Sequence, residues 1–280
     1  MNPTVAIIAQ GAMGAGVGAR LVERGLRVIT SLSGRSAASV QRAKEAGMVA
    51  VSDQECVQAD IFLSICPPSD AMALAEKMAA LIALSSKKPL YVDCNAVSPP
   101  NKVAIGNIIL KAGSRFVDVG IIGTRPKEGY SPYLHASGPE AATLGALGEF
   151  GIKVNVIEGP IGAASALKMS YAGITKGITA ITSVMMLAAT RAGVADKLRG
   201  ELDRSHGPLV TSLQRAIPDM FDKAYRFVGE MGEIADFVGA DKAAAQMYQA
   251  IGDFYTRIAA DHEGKHVETD ALASFIRKKG

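Results

Sequence analysis

The chain contains no tryptophan, and only 5% of its 280 residues are aromatic. Proteins that hold single-stranded nucleic acid by stacking need aromatic faces, so that class is disfavoured. An excess of one charge is also missing. Thirty Lys and Arg stand against 27 Asp and Glu, a net charge of +3, and the cations are scattered rather than massed on a stripe, so no polyanion or nucleic-acid partner is expected. Cysteine is scarce: Cys56, Cys66 and Cys94 form no CxxC pair, which indicates neither a disulfide framework nor a tetrahedral zinc site. His206, His262 and His266 show no ligand-like spacing, so no metal is expected. The opening MNPTVAIIAQGAMG has no basic leader and no small-residue cleavage site, and with free thiols it predicts a cytoplasmic protein. What is present, 49% hydrophobic and 20% charged residues, is a globular composition over a length that suits two domains.

The first half alternates short apolar or β-branched runs with helical patterns, the mark of βαβ units closing on a parallel sheet. Strands are expected at Val5 to Ala9, Arg27 to Leu32, Ile61 to Cys66, Leu90 to Asp93, Arg115 to Ile122 and Pro132 to Ala136. Helices are expected to begin near Met13, Ser36, Ser69, Ser98 and Pro139, several of them capped by Ser. After Gly159-Pro160 the pattern is helical throughout. The expected fold is therefore an α/β Rossmann-type doubly wound sheet over 1–160, followed by an all-α domain over 161–280 for substrate and dimerisation.

The first helix of that second domain, Ile161 to about Arg191, carries Lys168, Lys176 and Arg191 as its only charges. Its uncharged stretch from Gly177 to Thr190 is fourteen residues long, short of the roughly 20 needed to cross a bilayer. No membrane span is expected, and the small residues Gly177, Ala180, Ala188 and Ala189 suit close packing inside protein. A helix with no polar face calls for cover on all sides, which points to a homodimer.

The segment VAIIAQGAMGAGVGARL sets a glycine-rich turn between a strand and a helix. In the dinucleotide fingerprint GxGxxG the three glycines serve the tight turn, the close approach of the pyrophosphate and helix–strand packing. Here those positions are Ala9, Gly11 and Gly14, so the first glycine is absent, while the strand–turn–helix context is intact. Gly11, Ala12, Met13 and Gly14 are the expected pyrophosphate contacts, on a helix N-terminus whose free N–H groups favour an anion. An NAD site offers Asp or Glu at the end of the second strand for the ribose 2′-hydroxyl. This chain reads Ser31-Leu32-Ser33-Gly34-Arg35-Ser36 there. A guanidinium with hydroxyls beside it welcomes a 2′-phosphate, so Ser33, Arg35 and Ser36 predict NADP over NAD.

Together the glycine turn, Cys66-Pro67-Pro68 after a strand, Asp93-Cys94-Asn95-Ala96-Val97-Ser98-Pro99 and the helix opening GAASALKMSYAGITKG resemble the 6-phosphogluconate and β-hydroxyacid dehydrogenase superfamily. The likeness is greatest to its branch of NAD(P)-dependent oxidoreductases with a C-terminal domain of unknown function. The resemblance implies that Lys168 is the catalytic lysine, that Asn95 falls near the substrate-contacting position and is a catalytic and cofactor-binding candidate, and that Pro67 and Ser69 lie in the loop beside the nicotinamide ribose, with Cys66, Pro67 and Pro68 as cofactor-binding candidates. Two departures concern the substrate half alone. Ala172, preceded by Tyr171, stands where the family has an Asn four residues after the lysine, and Ile122-Gly123-Thr124 replaces a Ser-Gly-Gly motif. Gly123 and Thr124 are the corresponding substrate-binding candidates.

When a hydride leaves an alcohol carbon, the hydroxyl proton must leave too, and the reverse reaction needs a proton donor at the carbonyl oxygen. A lysine on an apolar helix face beside a cleft is suited to both tasks, because desolvation disfavours its charged form. Lys168, Tyr171 and Thr175 stand at i, i+3 and i+7 on one helical face, and Tyr171 and Thr175 are candidates to hold the substrate or relay the proton. His135 reads as a sheet residue and Arg125 and Lys127 as loop charges. The leading expectation is an NADP-dependent oxidoreductase acting on a small hydroxyacid-like or carbonyl substrate. The alternatives are an imine reductase, with Tyr171 as proton donor, and a non-catalytic NADP(H) binder, which would have no need of Lys168.

Overall fold

The computed structural model describes residues 2–277. Eight strands form one sheet: β1 Thr4–Ile8, β2 Arg27–Ser31, β3 Val49–Val51, β4 Ile61–Ser64, β5 Leu90–Asp93, β6 Arg115–Ile122, β7 Tyr133–Ser137 and β8 Lys153–Val156. Their order is β3-β2-β1-β4-β5-β6-β7-β8. The first six run parallel, β7 is antiparallel to β6, and β8 is parallel to β7. The crossovers carry α1 Ala12–Glu23, α2 Ala37–Glu45, α3 Asp53–Cys56, α4 Pro68–Leu84 and α5 Pro99–Lys111. Both faces of the sheet are covered, which is why β1 reads as an unbroken apolar run. Val5 and Ile7 face one core, with Val17, Leu21 and Val92, and Ala6 and Ile8 face the other, with Ala75, Met78 and Tyr91. Chain order reverses between β1 and β4, so a crevice opens at the carboxyl ends of these strands, where α/β sheets bind ligands.

The expected strands are present, each within about one or two residues of its expected limits, and two more lie at the sheet edges. β3 has only three residues and β8 is mostly exposed, so neither has the apolar alternation that identifies a strand. The segment after Pro139 is a 3-10 helix, Ala141–Phe150. Ser36 caps α2 by accepting from the Ser39 N–H. Ser69 is not a cap, because α4 already begins at Pro68, with Pro67 at the cap position.

Beyond the sheet the chain is helical: α6 Ala163–Arg191, α7 Ala195–Ser205, α8 Gly207–Phe221, α9 Ala224–Phe237, α10 Lys242–Glu263 and α11 Val267–Arg277. The chain divides into two compact units, Met1–Met169 and Ser170–Gly280. The division falls inside α6, later than the limit drawn after Pro160 from the sequence, so the first turns of α6 pack with the sheet. In the second unit Tyr255 donates to the Lys176 carbonyl at 2.8 Å, and Lys176 pairs with Glu230 over the Phe227 ring. Gly173 lets α6 approach Tyr248, whose Oη would lie 2.8 Å from an added Cβ.

By length and composition α6 could cross a membrane, with a mean hydropathy of 1.4 over its most apolar 18-residue window. Only half of that window is buried within the chain. The all-round cover expected from the sequence is therefore not supplied by this chain alone.

Candidate active site

Because β1, β2, β4, β5 and β6 are parallel, the segments that follow them reach the same edge of the sheet. Gly11 to Gly14, Ser33 to Ser36, Cys66 to Pro68, Asn95, and Gly123 with Thr124 all lie there.

The glycine turn separates into two roles. A Cβ on Gly14 would collide with the Ala9 carbonyl oxygen, so the fold itself demands glycine there. Gly11 has an ordinary φ of −68°, and an added Cβ would meet nothing within 4 Å. The first turn of α1 carries no acid, and Gly11 offers no side-chain cap for the N–H groups that begin a helix. Ala9 makes the turn without glycine, since His266 is the only non-glycine with positive φ among the described residues. Gln10 pins the loop from beneath: it is fully buried, and its amide nitrogen donates to Thr30 Oγ1. Arg42 of α2 donates from Nε to the Gln10 carbonyl at 2.9 Å.

At the end of β2, Arg35 is partly buried and Ser33 is exposed. The Ser36 hydroxyl is occupied as the α2 cap. A residue missed in the sequence joins them. Asp53, the first residue of α3, forms an ion pair of 2.7 Å with Lys77 of α4. The interactions that perturb its carboxyl include the Ser31 hydroxyl and the Arg35 charge.

The Asn95 side chain is held by the protein. It is 3% exposed; Oδ1 accepts from the Cys66 N–H at 2.7 Å, and Nδ2 donates to Ser64 Oγ and Asp93 Oδ2 at 2.8 and 3.1 Å. It thereby sets the backbone where the Cys66-Pro67-Pro68 loop begins. Burial pushes the Cys66 thiol up to about 12, which disfavours the thiolate form that a nucleophile needs.

Beneath Asn95 lies Lys102, fully buried and absent from the sequence-based candidates. Its ammonium pairs with Asp93 Oδ1 and donates to the carbonyls of Asp93 and Asn95 at 3.0 and 3.1 Å. Asp118 of β6 is 3.7 Å away. Burial alone would lower the Lys102 pKa, but the two carboxylates outweigh it and hold it above 10.5. Asp118 in turn anchors the start of α6: its carboxylate accepts from the N–H groups of Gly162 and Ser165 at 2.9 and 3.1 Å and from the hydroxyls of Ser165 and Ser137 at 2.7 and 3.0 Å. A carboxylate at a helix N-terminus is favourably placed against the helix dipole.

That anchored end carries Lys168. An added Cβ on Gly120 of β6 would lie 2.7 Å from the Ala164 carbonyl oxygen and 2.9 Å from Lys168 Cβ, so the Lys168 stem starts directly over β6. At the end of the same strand Gly123 adopts φ +128° beneath Tyr130, and Thr124 is exposed. Tyr171, one turn beyond Lys168, is 50% exposed. The Thr175 hydroxyl donates back to the Tyr171 carbonyl at 2.9 Å, and Ala172 is buried. His135 sits in β7 and hydrogen-bonds Asn155 on β8, as a sheet residue does.

Comparison with known proteins follows the same two-part plan. Residues 4–97 match the model of the family described as NADP oxidoreductase, coenzyme F420-dependent, and residues 189–258 match a domain of unknown function, DUF1932. An uncharacterised 28.5 kDa protein of Methanothermus fervidus, named for its position in a 7S RNA 5′ region, is 31% identical over 216 residues, 76% of this chain and 82% of the relative. The chain belongs to the β-hydroxyacid dehydrogenase-like branch with a C-terminal domain of unknown function. Among solved structures, 3-hydroxyisobutyrate dehydrogenase of Mycobacterium tuberculosis shares this branch's fold over 99% of the chain and 100% of its own, with TM-score 0.75 and 20% identity. An imine reductase of Myxococcus stipitatus, solved with NADP+, does so over 99% and 100%, with TM-score 0.60 and 16% identity.

Proposed function

We propose that this protein is an NADP-dependent oxidoreductase that transfers a hydride between the nicotinamide and a small hydroxyacid-like or carbonyl substrate, with Lys168 as the general acid and base. The observation that carries the reading is the contrast between Gly14 and Gly11. Neither packing nor backbone conformation requires glycine at position 11, whereas close approach of a pyrophosphate does. The α1 N–H groups beside it supply the matching donors.

When bound, the nicotinamide donates or accepts the hydride. Lys168 then delivers a proton to the substrate oxygen or removes it, and the Asp118 anchor keeps the amine from drifting as the helix starts. Asn95 holds the Cys66-Pro67 backbone at the ribose. Tyr171 is the nearest helical neighbour able to hydrogen-bond substrate. The substrate differs from the usual hydroxyacids, because Ala172 offers no polar group where the family has Asn. An imine reductase with Tyr171 as donor, or a non-catalytic NADP(H) binder, would leave Lys168 without a task. Turnover of NADPH against a panel of aldehydes, ketoacids and imines, with binding measured alongside, separates the three.

Arg35 and Ser33 favour the 2′-phosphate of NADP over NAD. A charge-assisted hydrogen bond contributes about 1.5–3 kcal/mol, so Arg35→Ala is expected to weaken NADPH binding about 10- to 100-fold. NADH binding should barely change. Unaltered NADPH affinity in fluorescence titration would remove Arg35 from the site.

The protein acts as a homodimer in the cytoplasm, where its three free thiols remain reduced. Ile174, Ile178, Ile181 and Met185 repeat at alternating spacings of four and three, and each is 44–62% exposed. A heptad seam of this kind fits a partner helix lying along α6 better than a lipid phase, which imposes no such period. Ile178→Glu is expected to convert dimer to monomer in size-exclusion chromatography with light scattering. An unchanged dimer would show that the interface lies elsewhere.

A further inference from the structure

The end of β2 lacks the ribose-binding carboxylate in its own sequence, yet one reaches it through the fold. β3 pairs with β2 in parallel, and Ser31, the last residue of β2, stands opposite Val51. Parallel neighbours finish at the same edge, so Asp53, just past β3, arrives beside the end of β2. Lys77 Nζ pairs with its Oδ2 at 2.7 Å, and the Ser31 hydroxyl and the Arg35 charge both act to lower its pKa. Burial works to raise the Asp53 pKa, but the hydrogen bonds from Lys77 and Ser31, with the charges of Lys77 and Arg35, more than offset it. Asp53 is therefore ionised at neutral pH.

We propose that Asp53 is a specificity-determining residue of the adenosine-ribose subsite, replacing the acid that β2 lacks, and that Lys77 sets how strongly it opposes a 2′-phosphate. The inference rests on the nucleotide reading above and deepens it. A bare carboxylate at this place would hydrogen-bond a ribose 2′-hydroxyl and repel a 2′-phosphate. Paired with Lys77 and faced by Arg35, the three groups sum to one positive charge. The subsite then accepts the phosphate of NADP while keeping an acceptor for the hydroxyl of NAD, so that both cofactors bind and the preference for NADP is modest.

The consequence is a pair of opposite effects. Neutralising Asp53 removes the repulsion and frees Lys77 to face the phosphate. Neutralising Lys77 leaves Arg35 alone to offset the repulsion. Fluorescence titration of NADPH and NADH with Asp53→Asn and Lys77→Met is the test, with Arg35→Ala as reference. The ratio of NADH to NADPH dissociation constants should rise about 10-fold or more in Asp53→Asn and fall by a similar factor in Lys77→Met. A salt bridge that only supports the fold would shift both variants, and both cofactors, in the same direction, and that result overturns the proposal. So does an unmoved ratio in Asp53→Asn. If the ratio stays fixed in Asp53→Asn while Arg35→Ala loses NADPH, the proposal alone fails. If Arg35→Ala leaves NADPH binding intact while Asp53→Asn shifts the ratio, the Arg35 assignment fails and the role of Asp53 stands.

Discussion

Lys168→Ala should lower turnover about 10³-fold, the central value for loss of a positioned general acid or base, while NADPH affinity stays at the wild-type level. The separation of the two effects is the point. Lys168 projects from the start of α6 over Gly120 of β6, whereas the groups proposed to hold the pyrophosphate and the 2′-phosphate follow β1 and β2. Its removal therefore leaves those contacts intact. Lys168→Arg sharpens the test, because a guanidinium keeps the positive charge but cannot give up its proton in the working range. Arginine should fail almost as badly as alanine if the amine moves a proton, and should rescue much of the activity if its charge is what matters. Near-normal turnover in the alanine variant would end the mechanism and leave a nucleotide-binding protein.

The second large effect concerns stability. Lys102→Met should destabilise the fold by about 3–5 kcal/mol, the cost of removing one partner from a buried ion pair. Asp93 and Asp118 are both fully buried, and the substitution strands them without their shared cation. A double variant, Lys102→Met with Asp93→Asn, should recover part of the loss, since it leaves one buried charge fewer. Denaturant unfolding of both variants checks this, and a Lys102→Met protein within about 1 kcal/mol of wild type would contradict it. The pH dependence follows from the raised pKa of Lys102. A base held above its unfolded value of 10.5 contributes stability that is complete below that pH and is lost only as pH climbs through the folded value. Across the neutral range the contribution is constant, so any activity change there has another origin.

The parallel strands and the glycine turn were legible because their signals are local. A buried strand is a short apolar run, and the fingerprint lies within a few residues of one turn. Lys168 was singled out by the motif around it, and its role stands as a proposal. The edge strands β3 and β8 were not, because half-exposed edge segments need no apolar alternation. Asn95 was singled out by its motif, but its hydrogen bonds to Ser64 and Cys66 involve the end of β4 and the loop after it, and strand pairing cannot be seen in the chain around residue 95. Asp53 and Lys102 escaped for the same reason. Each looks like an ordinary surface charge on a helix until sheet register brings Ser31 beside the first and packing closes Asp93 and Asp118 around the second.

A crystal structure with NADP+ bound tests the central claim most directly. The account predicts the pyrophosphate against the N–H groups of Ala12 and Met13, with Lys168 Nζ on the open face of the nicotinamide ring, within reach of a substrate oxygen at its C4 carbon. A nucleotide seated away from the turn between β1 and α1, or a Lys168 amine directed into bulk water, would contradict it.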